Sequence, residues 1–435
     1  MSENICIKGG VSYVKIFSNK AIKCMKIDLT YWLREYNALF LLSYYDHPNI
    51  IKYLDISLDK YTNSNKEAYY IQITLPKYEK TLSDVKIYRD KDLVQIFIDL
   101  LSAIKLCHKL NIWHRDIKLS NIMFDKNNKT VLLDFSHSAK IHNGISPDEE
   151  ICTYTTRPPE VFLYKDYILN SSNDPSENAN INDPSENANN KFGYNEKVDI
   201  WSIGMIMIDI IIGQSVFGLI TANTAEGEVK DFLLNNANYK EILKKQYFKH
   251  RDKGFIWYDK YWNLIDNMLE KDPNNRLSAS SLLDKIIVFA LEKNINIKVP
   301  LYKKTKKSIH NKLRLNTVIK FLTDDQKKLF DILKNADLPI YANTIELVYD
   351  YQLIYGLVSQ LIYLNVLNNS NKDIVVISTM LIVTVIMYDN IMDIEYVVKK
   401  IERQMNKKIN RNELYKTMLA LVKDHNTLLY IDGLF

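Results

Sequence analysis

Apolar and polar residues alternate in short runs from residue 5 to residue 27, first in "ICIKGGVSYVKIF" and then in "KAIKCMKI". That period of two predicts strands. The spacing then changes. "TYWLREYNALFLLSYY" brings Leu33, Tyr36, Phe40 and Tyr44 near one face of a helix. "AYYIQITL" returns to a strand pattern, and from about residue 90 helical spacing takes over, beginning with "DLVQIFIDLLSAIKLCHKL". The expected class is α+β. A small strand-rich lobe (1–75) precedes a larger helical one (76–297), and an all-helical region (316–435) follows.

Three stretches stand apart from this pattern. "NDPSENAN" occurs at 173–180 and again at 182–189, inside a segment (about 170–192) almost without apolar residues. It cannot bury enough surface to offset its ordering entropy, so a disordered surface insertion is expected there, with partner docking as the alternative. Residues 298–315 read as a basic interdomain linker; "KVPLYKKTKKSIHNKLR" carries seven Lys or Arg. A solvated tether and a nuclear-targeting or nucleic-acid patch both fit that composition, the tether better. The region 316–435 reads as about five helices: "DDQKKLFDILKNA", "NTIELVYDYQLIYGLVSQLIYLNVL", an apolar helix over 374–388, "DIEYVVKKIERQM" and "NRNELYKTMLALVKDH".

Composition narrows the classes. The chain has 435 residues, 47% hydrophobic and 25% charged, with a formal net charge of +5. This is ordinary globular composition and gives no reason to expect a nucleic-acid partner. The four cysteines, Cys6, Cys24, Cys107 and Cys152, are too scattered for metal or redox spacing and read as reduced thiols of an intracellular protein, cytoplasmic or nuclear. The start "MSENICIKGG" lacks a signal-peptide pattern. The apolar runs "WSIGMIMIDIIIG" and 374–388 fall short of the roughly 18 residues a spanning helix needs, so they are expected to be core helices and not membrane spans.

The chemistry concentrates in "HRDIKLSN", residues 114–121, a polar cluster between apolar runs. Phosphoryl transfer needs a positioned hydroxyl acceptor, oxygen ligands for a metal and charge neutralisation. Asp116 could orient a hydroxyl nucleophile while Asn121, five residues on, offers an amide oxygen to Mg²⁺. Lys118 could neutralise the transferred phosphoryl. Asp134 in "VLLDFS" follows a buried strand, where its carboxylate would emerge as a second hard-oxygen ligand.

These residues resemble the eukaryotic-type Ser/Thr protein kinase superfamily over about residues 5–294. "HRDIKLSN" matches the catalytic loop, "HPNI" (47–50) the segment after the regulatory helix, and "RPPE" (157–160) the end of the activation segment. "DIWSIG" (199–204) and "DPNNRLSASSLL" (272–283) match the buried helix and the segment holding the family's structural arginine. The resemblance implies a bilobal kinase fold, ATP and Mg²⁺ as cofactors, and protein substrates. It implies Asp116 and Lys118 as catalytic. Gly9, Val14, Lys23, Glu35, Leu75, Asn121 and Asp134 would bind nucleotide, with Asn121 and Asp134 as metal ligands. Arg115, Thr153, Glu160, Asp199 and Arg276 would build the activation segment and its supports.

The chain also departs from the family. With Val14 as the valine closing the glycine-rich loop, the three glycine positions hold Ile7, Gly9 and Ser12. "DFS" stands where the family has "DFG", with Ser136 at the glycine position. Glu35, the choice for the regulatory-helix glutamate, comes only twelve residues after Lys23. "PDEE" (147–150) either pairs with Arg115 in place of a phosphate or is a solvated acidic loop.

Two function classes follow. The first is an active Ser/Thr kinase; the second is a pseudokinase scaffold that binds nucleotide and partners without turnover. Lys23, Asp116, Asn121 and Asp134 are all present, which favours the first. The C-terminal helices show no chemistry of their own. An apolar helix among amphipathic ones resembles the cyclin box, and a family-specific docking bundle fits as well; either implies a regulatory protein contact. The frequent Asn, Ile and Lys and the tandem duplication suit an AT-rich source, such as a large DNA virus or intracellular parasite acting in a host cell.

Overall fold

The computed structural model describes residues 5–8, 12–27, 29–63, 66–141, 151–164, 194–221, 225–252, 254–304, 372–388 and 393–423. The duplicated insertion, "PDEE", Gly9 and the first two helices expected after residue 316 lie outside the described residues. The chain divides into two compact units. One comprises residues 1–41, 52–77 and 306–435, the other 42–51 and 78–305.

The first unit is built on an antiparallel sheet of β1 (Ile5–Lys8), β2 (Ser12–Ile16), β3 (Lys20–Lys26), β4 (Asp55–Asn63) and β5 (Lys66–Pro76), in the order β1-β2-β3-β5-β4. The interior strand β5 buries Ile71, Ile73 and Leu75. In the register, Lys23 lies opposite Val14 on one side and Ile73 on the other, and Ala21 lies opposite Leu75. Side chains alternate along a strand, so these five share one face of the sheet. Helix α1 (Tyr31–Leu42) buries Trp32, Leu33, Tyr36 and Phe40, and Glu35 with them.

Among the described residues, the second unit includes the helices α2 (Asp90–Lys109), α3 (Lys197–Ile212), α4 (Phe217–Ile220), α5 (Glu226–Asn235), α6 (Tyr239–His250), α7 (Tyr258–Met268) and α8 (Ala279–Glu292). The long α2 packs along α8. Helix α3 is apolar all round and buried along nearly its whole length, as a helix without a polar face must be. Gly204 lets it approach α7: a Cβ there would sit 2.9 Å from the Met268 Cβ. Two small sheets frame residues 114–121. One pairs β7 (Ile112–Trp113) with β10 (Ala139–Lys140); the other has the order β6 (Lys80–Thr81), β8 (Ile122–Phe124), β9 (Thr130–Leu132).

After α8, the first residues of the basic linker are anchored to this unit. Lys298 exchanges two hydrogen bonds of 2.8 Å with the Gln95 side chain, and the Tyr302 ring lies 4.9 Å from that of His47.

Helices α9 (Lys372–Tyr388), α10 (Ile394–Met405) and α11 (Arg411–Lys423) group with the first unit. The apolar α9 buries Ile374, Val375, Ile377, Leu381 and Val385 and packs against α11. In turn α11 lies against β4, and the Tyr415 ring meets that of Tyr69 edge-on at 5.2 Å. Leu29, just before α1, forms an antiparallel bridge with Asp393, whose side chain caps α10 by accepting the Tyr396 N–H at 3.0 Å. Among the described residues, no helix is long and apolar enough to cross a membrane.

Candidate active site

In the second unit, β7 delivers the chain into residues 114–121 and β8 carries it away. Asp199 holds this loop from α3. Its Oδ1 accepts the Arg115 N–H at 2.8 Å, and its Oδ2 accepts the His114 N–H and the His108 Nε2–H, both at 2.9 Å. Burial acts to raise the Asp199 pKa, but the His108 hydrogen bond, the nearby His108 and His114 and the Arg115 amide outweigh it and leave the carboxyl below its ordinary value.

Hydrogen bonds fix the His114 tautomer. Nε2–H donates to the Leu133 carbonyl at 2.8 Å, and Nδ1 accepts the Asp116 N–H at 3.3 Å. The ring stacks edge-on against Phe135 at 4.8 Å. Arg115 takes a left-handed backbone, φ +64°. Its fully buried guanidinium donates to the His137 carbonyl at 2.7 Å and to the Tyr194 hydroxyl at 3.4 Å.

The Asp116 carboxylate is the centre of this web. Oδ1 accepts the Thr153 hydroxyl at 2.8 Å and the Thr153 N–H at 3.2 Å. Oδ2 accepts Asn121 Nδ2–H at 3.0 Å and pairs with Lys118 Nζ at 2.8 Å. Lys118 also donates to the Thr153 hydroxyl at 3.0 Å. A carboxylate offers about four lone-pair sites, and these four donors use them. Asn121 Nδ2 makes a second bond to the Asp116 carbonyl at 2.9 Å. Its amide hydrogens are thus committed to Asp116, which leaves Oδ1, purely an acceptor, for a cation.

Asp134 follows β9 and also has a left-handed backbone, φ +60°. Its Oδ1 accepts the Ser136 hydroxyl at 2.6 Å and the Ser136 N–H at 3.3 Å. Glu160 receives a two-pronged pair from Arg276, whose guanidinium lies 4.9 Å from the centre of the Trp201 ring. Arg157, not singled out in the sequence, donates to the carbonyls of Ile151 (3.0 Å) and Cys152 (2.9 Å) and pairs with Glu226. Cys152 is itself left-handed at φ +60°, and its N–H donates to the Arg115 carbonyl at 2.8 Å.

In the first unit, Lys23 Nζ and Glu35 Oε2 form an ion pair of 2.8 Å, with both side chains almost fully buried. Val14 lies directly across from Lys23, and Leu75 two positions along the same face. The sequence-derived residues thus fall into two groups. Val14, Lys23, Glu35 and Leu75 are on the sheet and α1. Arg115, Asp116, Lys118, Asn121, Thr153 and Asp199 form one contiguous network in the second unit, with Asp134 on the adjoining strand end. Glu160 and Arg276 pair separately beneath the segment that carries Thr153.

Sequence reasoning missed three members of the second group. His108 is a polar position near the end of a long helix, and nothing local announces its bond to Asp199. Arg157 lay within a recognised motif but carried no assigned role. Ser136 stood out only as a serine at a glycine position, although its hydroxyl is what touches Asp134.

A family model of the protein kinase domain matches residues 8–174 and 186–287, more than half of the chain. The chain is 26% identical to mouse sperm motility kinase 3A over 219 residues, covering 48% of this chain and 37% of that one. It is 24% identical to the probable serine/threonine-protein kinase glkA of Dictyostelium discoideum over 299 residues, 66% of this chain and 54% of that one. It therefore spans between about a third and just over half of these relatives' length. Among solved structures, the crystal structure of the yeast RNA Pol II CTD kinase CTDK-1 complex is similar at a TM-score of 0.44 and 19% identity, over 65% of this chain and 92% of that one.

Proposed function

From the premise that this chain belongs to the protein kinase domain family, we propose that it is an active Ser/Thr protein kinase, transferring the γ-phosphate of ATP to protein hydroxyls. The observation that carries the proposal is Asp116: a buried carboxylate already accepting an aliphatic hydroxyl, that of Thr153, at 2.8 Å.

The four donors on Asp116 suggest how a substrate enters. Lys118 is a third accessible, and its stem is flexible. An incoming Ser or Thr hydroxyl takes its place on Oδ2, and Lys118 turns toward the phosphoryl group. Asp116 then orients the hydroxyl and receives its proton. Thr153 and Asn121 keep the carboxylate in place throughout. Asp199 holds the loop's backbone, which fixes where Asp116 points.

The donor set fits Mg²⁺. Asn121 Oδ1 and the Asp134 carboxylate are hard oxygens, one neutral and one charged, the small protein contribution typical of Mg²⁺ that also binds substrate phosphates. When bound, the ion supplies neutralisation of the phosphate charge. In the first unit, Lys23 would hold the nucleotide phosphates, with Glu35 keeping its ammonium oriented. Val14 and Leu75, on the same sheet face, offer apolar contact to the base.

The helical region is read as an attached regulator. Its support is local: Asp393 at the head of α10 bridges Leu29, two residues before α1, and α1 carries Glu35. The cysteines described, Cys6, Cys24, Cys107 and Cys152, are all free thiols, which suits a reducing intracellular compartment.

The test is transfer from radiolabelled Mg-ATP to casein or myelin basic protein by the full chain, beside Asp116→Asn. A loss of 10²-fold or more in the variant, with nucleotide binding retained, is expected. Nucleotide binding without transfer by the wild type would favour the scaffold reading, in which the altered glycine-loop positions Ile7 and Ser12 go with a lost reaction.

A further inference from the structure

We infer that Ser136 is a positioning residue for Asp134, its hydroxyl holding the carboxylate ready for the divalent cation that accompanies the nucleotide. This rests on reading Asp134 as a cation ligand, and it goes beyond that reading by giving a role to a side chain that a glycine in the same place would not have.

The two contacts on Asp134 Oδ1 differ in kind. The N–H contact, at 3.3 Å, is long and would survive with any residue at 136. The hydroxyl contact, at 2.6 Å, is short and of the strong charge-assisted type. Ser136 is buried, 3% exposed. A buried hydroxyl needs a partner, and a part-buried carboxylate oxygen gains from a donor, so each group restrains the other.

The surroundings keep the serine where it is. Phe135 is fully buried against His114, and its carbonyl accepts both the Ser138 N–H at 3.0 Å and the Ser138 hydroxyl at 2.6 Å. His137 is fixed from the other side, where its carbonyl accepts from Arg115. The backbone from 135 to 138 is therefore pinned, and the Ser136 hydroxyl is delivered to Asp134 from a rigid base.

Asp134 needs such restraint. Its left-handed backbone is uncommon for a non-glycine residue and is held only by what surrounds it. Fixing Oδ1 removes side-chain freedom that would otherwise be lost on binding a cation. Outer partners of metal-binding carboxylates act in this way, and losing one weakens metal binding by about 10- to 100-fold.

Mn²⁺ is a paramagnetic stand-in for Mg²⁺, and its binding is read by electron paramagnetic resonance without any turnover. The full chain would be titrated with Mn²⁺ in the presence of a non-hydrolysable ATP analogue, as wild type, Ser136→Ala, Ser136→Gly, Ser136→Thr and Asp134→Asn. Thermal melts would check that each variant folds. The expected result is Mn²⁺ affinity weaker by about tenfold in both Ser136→Ala and Ser136→Gly, near wild type in Ser136→Thr, and unchanged affinity for the analogue without metal. Wild-type Mn²⁺ affinity in Ser136→Ala, with binding lost in Asp134→Asn, would overturn the inference and leave the role of Asp134 standing. Wild-type affinity in Asp134→Asn would overturn both.

Discussion

Arg276 grips both carboxylate oxygens of Glu160, at 2.5 and 2.7 Å, from a side chain with no solvent exposure. The same guanidinium donates to the Glu270 carbonyl at 2.7 Å. It also donates to the Lys197 carbonyl at 3.2 Å, so three separate segments meet on one planar fork. Arg276→Ala strands a mostly buried carboxylate and is expected to cost about 3–5 kcal/mol of unfolding free energy in urea. Arg276→Lys is expected to recover little of it, since an ammonium cannot reproduce the two parallel bonds.

Asp99 gives a pH signature. It is buried in α2, and burial raises its pKa to about 6, against the lowering pull of the Gln95 and Thr130 hydrogen bonds. The folded state therefore holds its proton more tightly than the unfolded chain does. The resulting stabilisation is complete below the ordinary carboxyl pKa of about 4 and is lost as pH rises through about 6. Asp99→Asn lacks this slope. Subtracting variant from wild-type unfolding free energies across pH 4 to 7 is expected to give a wild-type loss on the order of 2 kcal/mol.

The approach of α3 to α7 sets a steric limit at Gly204. A Cβ there meets the Met268 Cβ at 2.9 Å and the Leu269 Cδ2 at 3.0 Å. Ala at 204 is expected to destabilise by about 1–3 kcal/mol despite the better helix propensity of alanine, and Val by more. Thermal denaturation of the two variants gives the order.

Tyr415 fastens α11 to the sheet. Its ring meets Tyr69, and its hydroxyl donates to Glu395 on α10 at 2.6 Å. Tyr415→Ala is expected to cost about 3 kcal/mol. In hydrogen-exchange measurements, α11 and β4 should lose protection together while α3 keeps its own. Unchanged protection of β4 would show that the helices do not brace it.

The loop chemistry was legible because its members are neighbours in sequence: Asp116, Lys118 and Asn121 span six positions, and their polarity between apolar runs had no structural excuse. The pairing of Lys23 with Glu35 needed more, since their spacing along the chain gave no guide to the strand-to-helix geometry; the structure shows the distance that spacing could not. What stayed hidden depends on distant contacts. Asp99 looks like any polar residue on an amphipathic helix until Thr130 arrives from a separate strand. Strand β4, "DISLDKYTN", is too polar to stand out, and its register is set by β5. The placement of α11 on β4 joins positions more than 350 residues apart, as in the Lys423–Asp55 approach of 3.9 Å between residues 423 and 55.

That last contact bears on how the protein behaves in concentrated solution. Strand β4 is an outer strand of the five-stranded sheet, nine residues long, and α11 lies against it. An uncovered strand of that length offers unpaired amides and carbonyls to any similar strand it meets. The opposite border, β1, is only four residues long and offers much less. In a chain cut after residue 304 the longer border loses the helix that lies beside it, and greater chain-to-chain association than in the full chain is expected in light scattering.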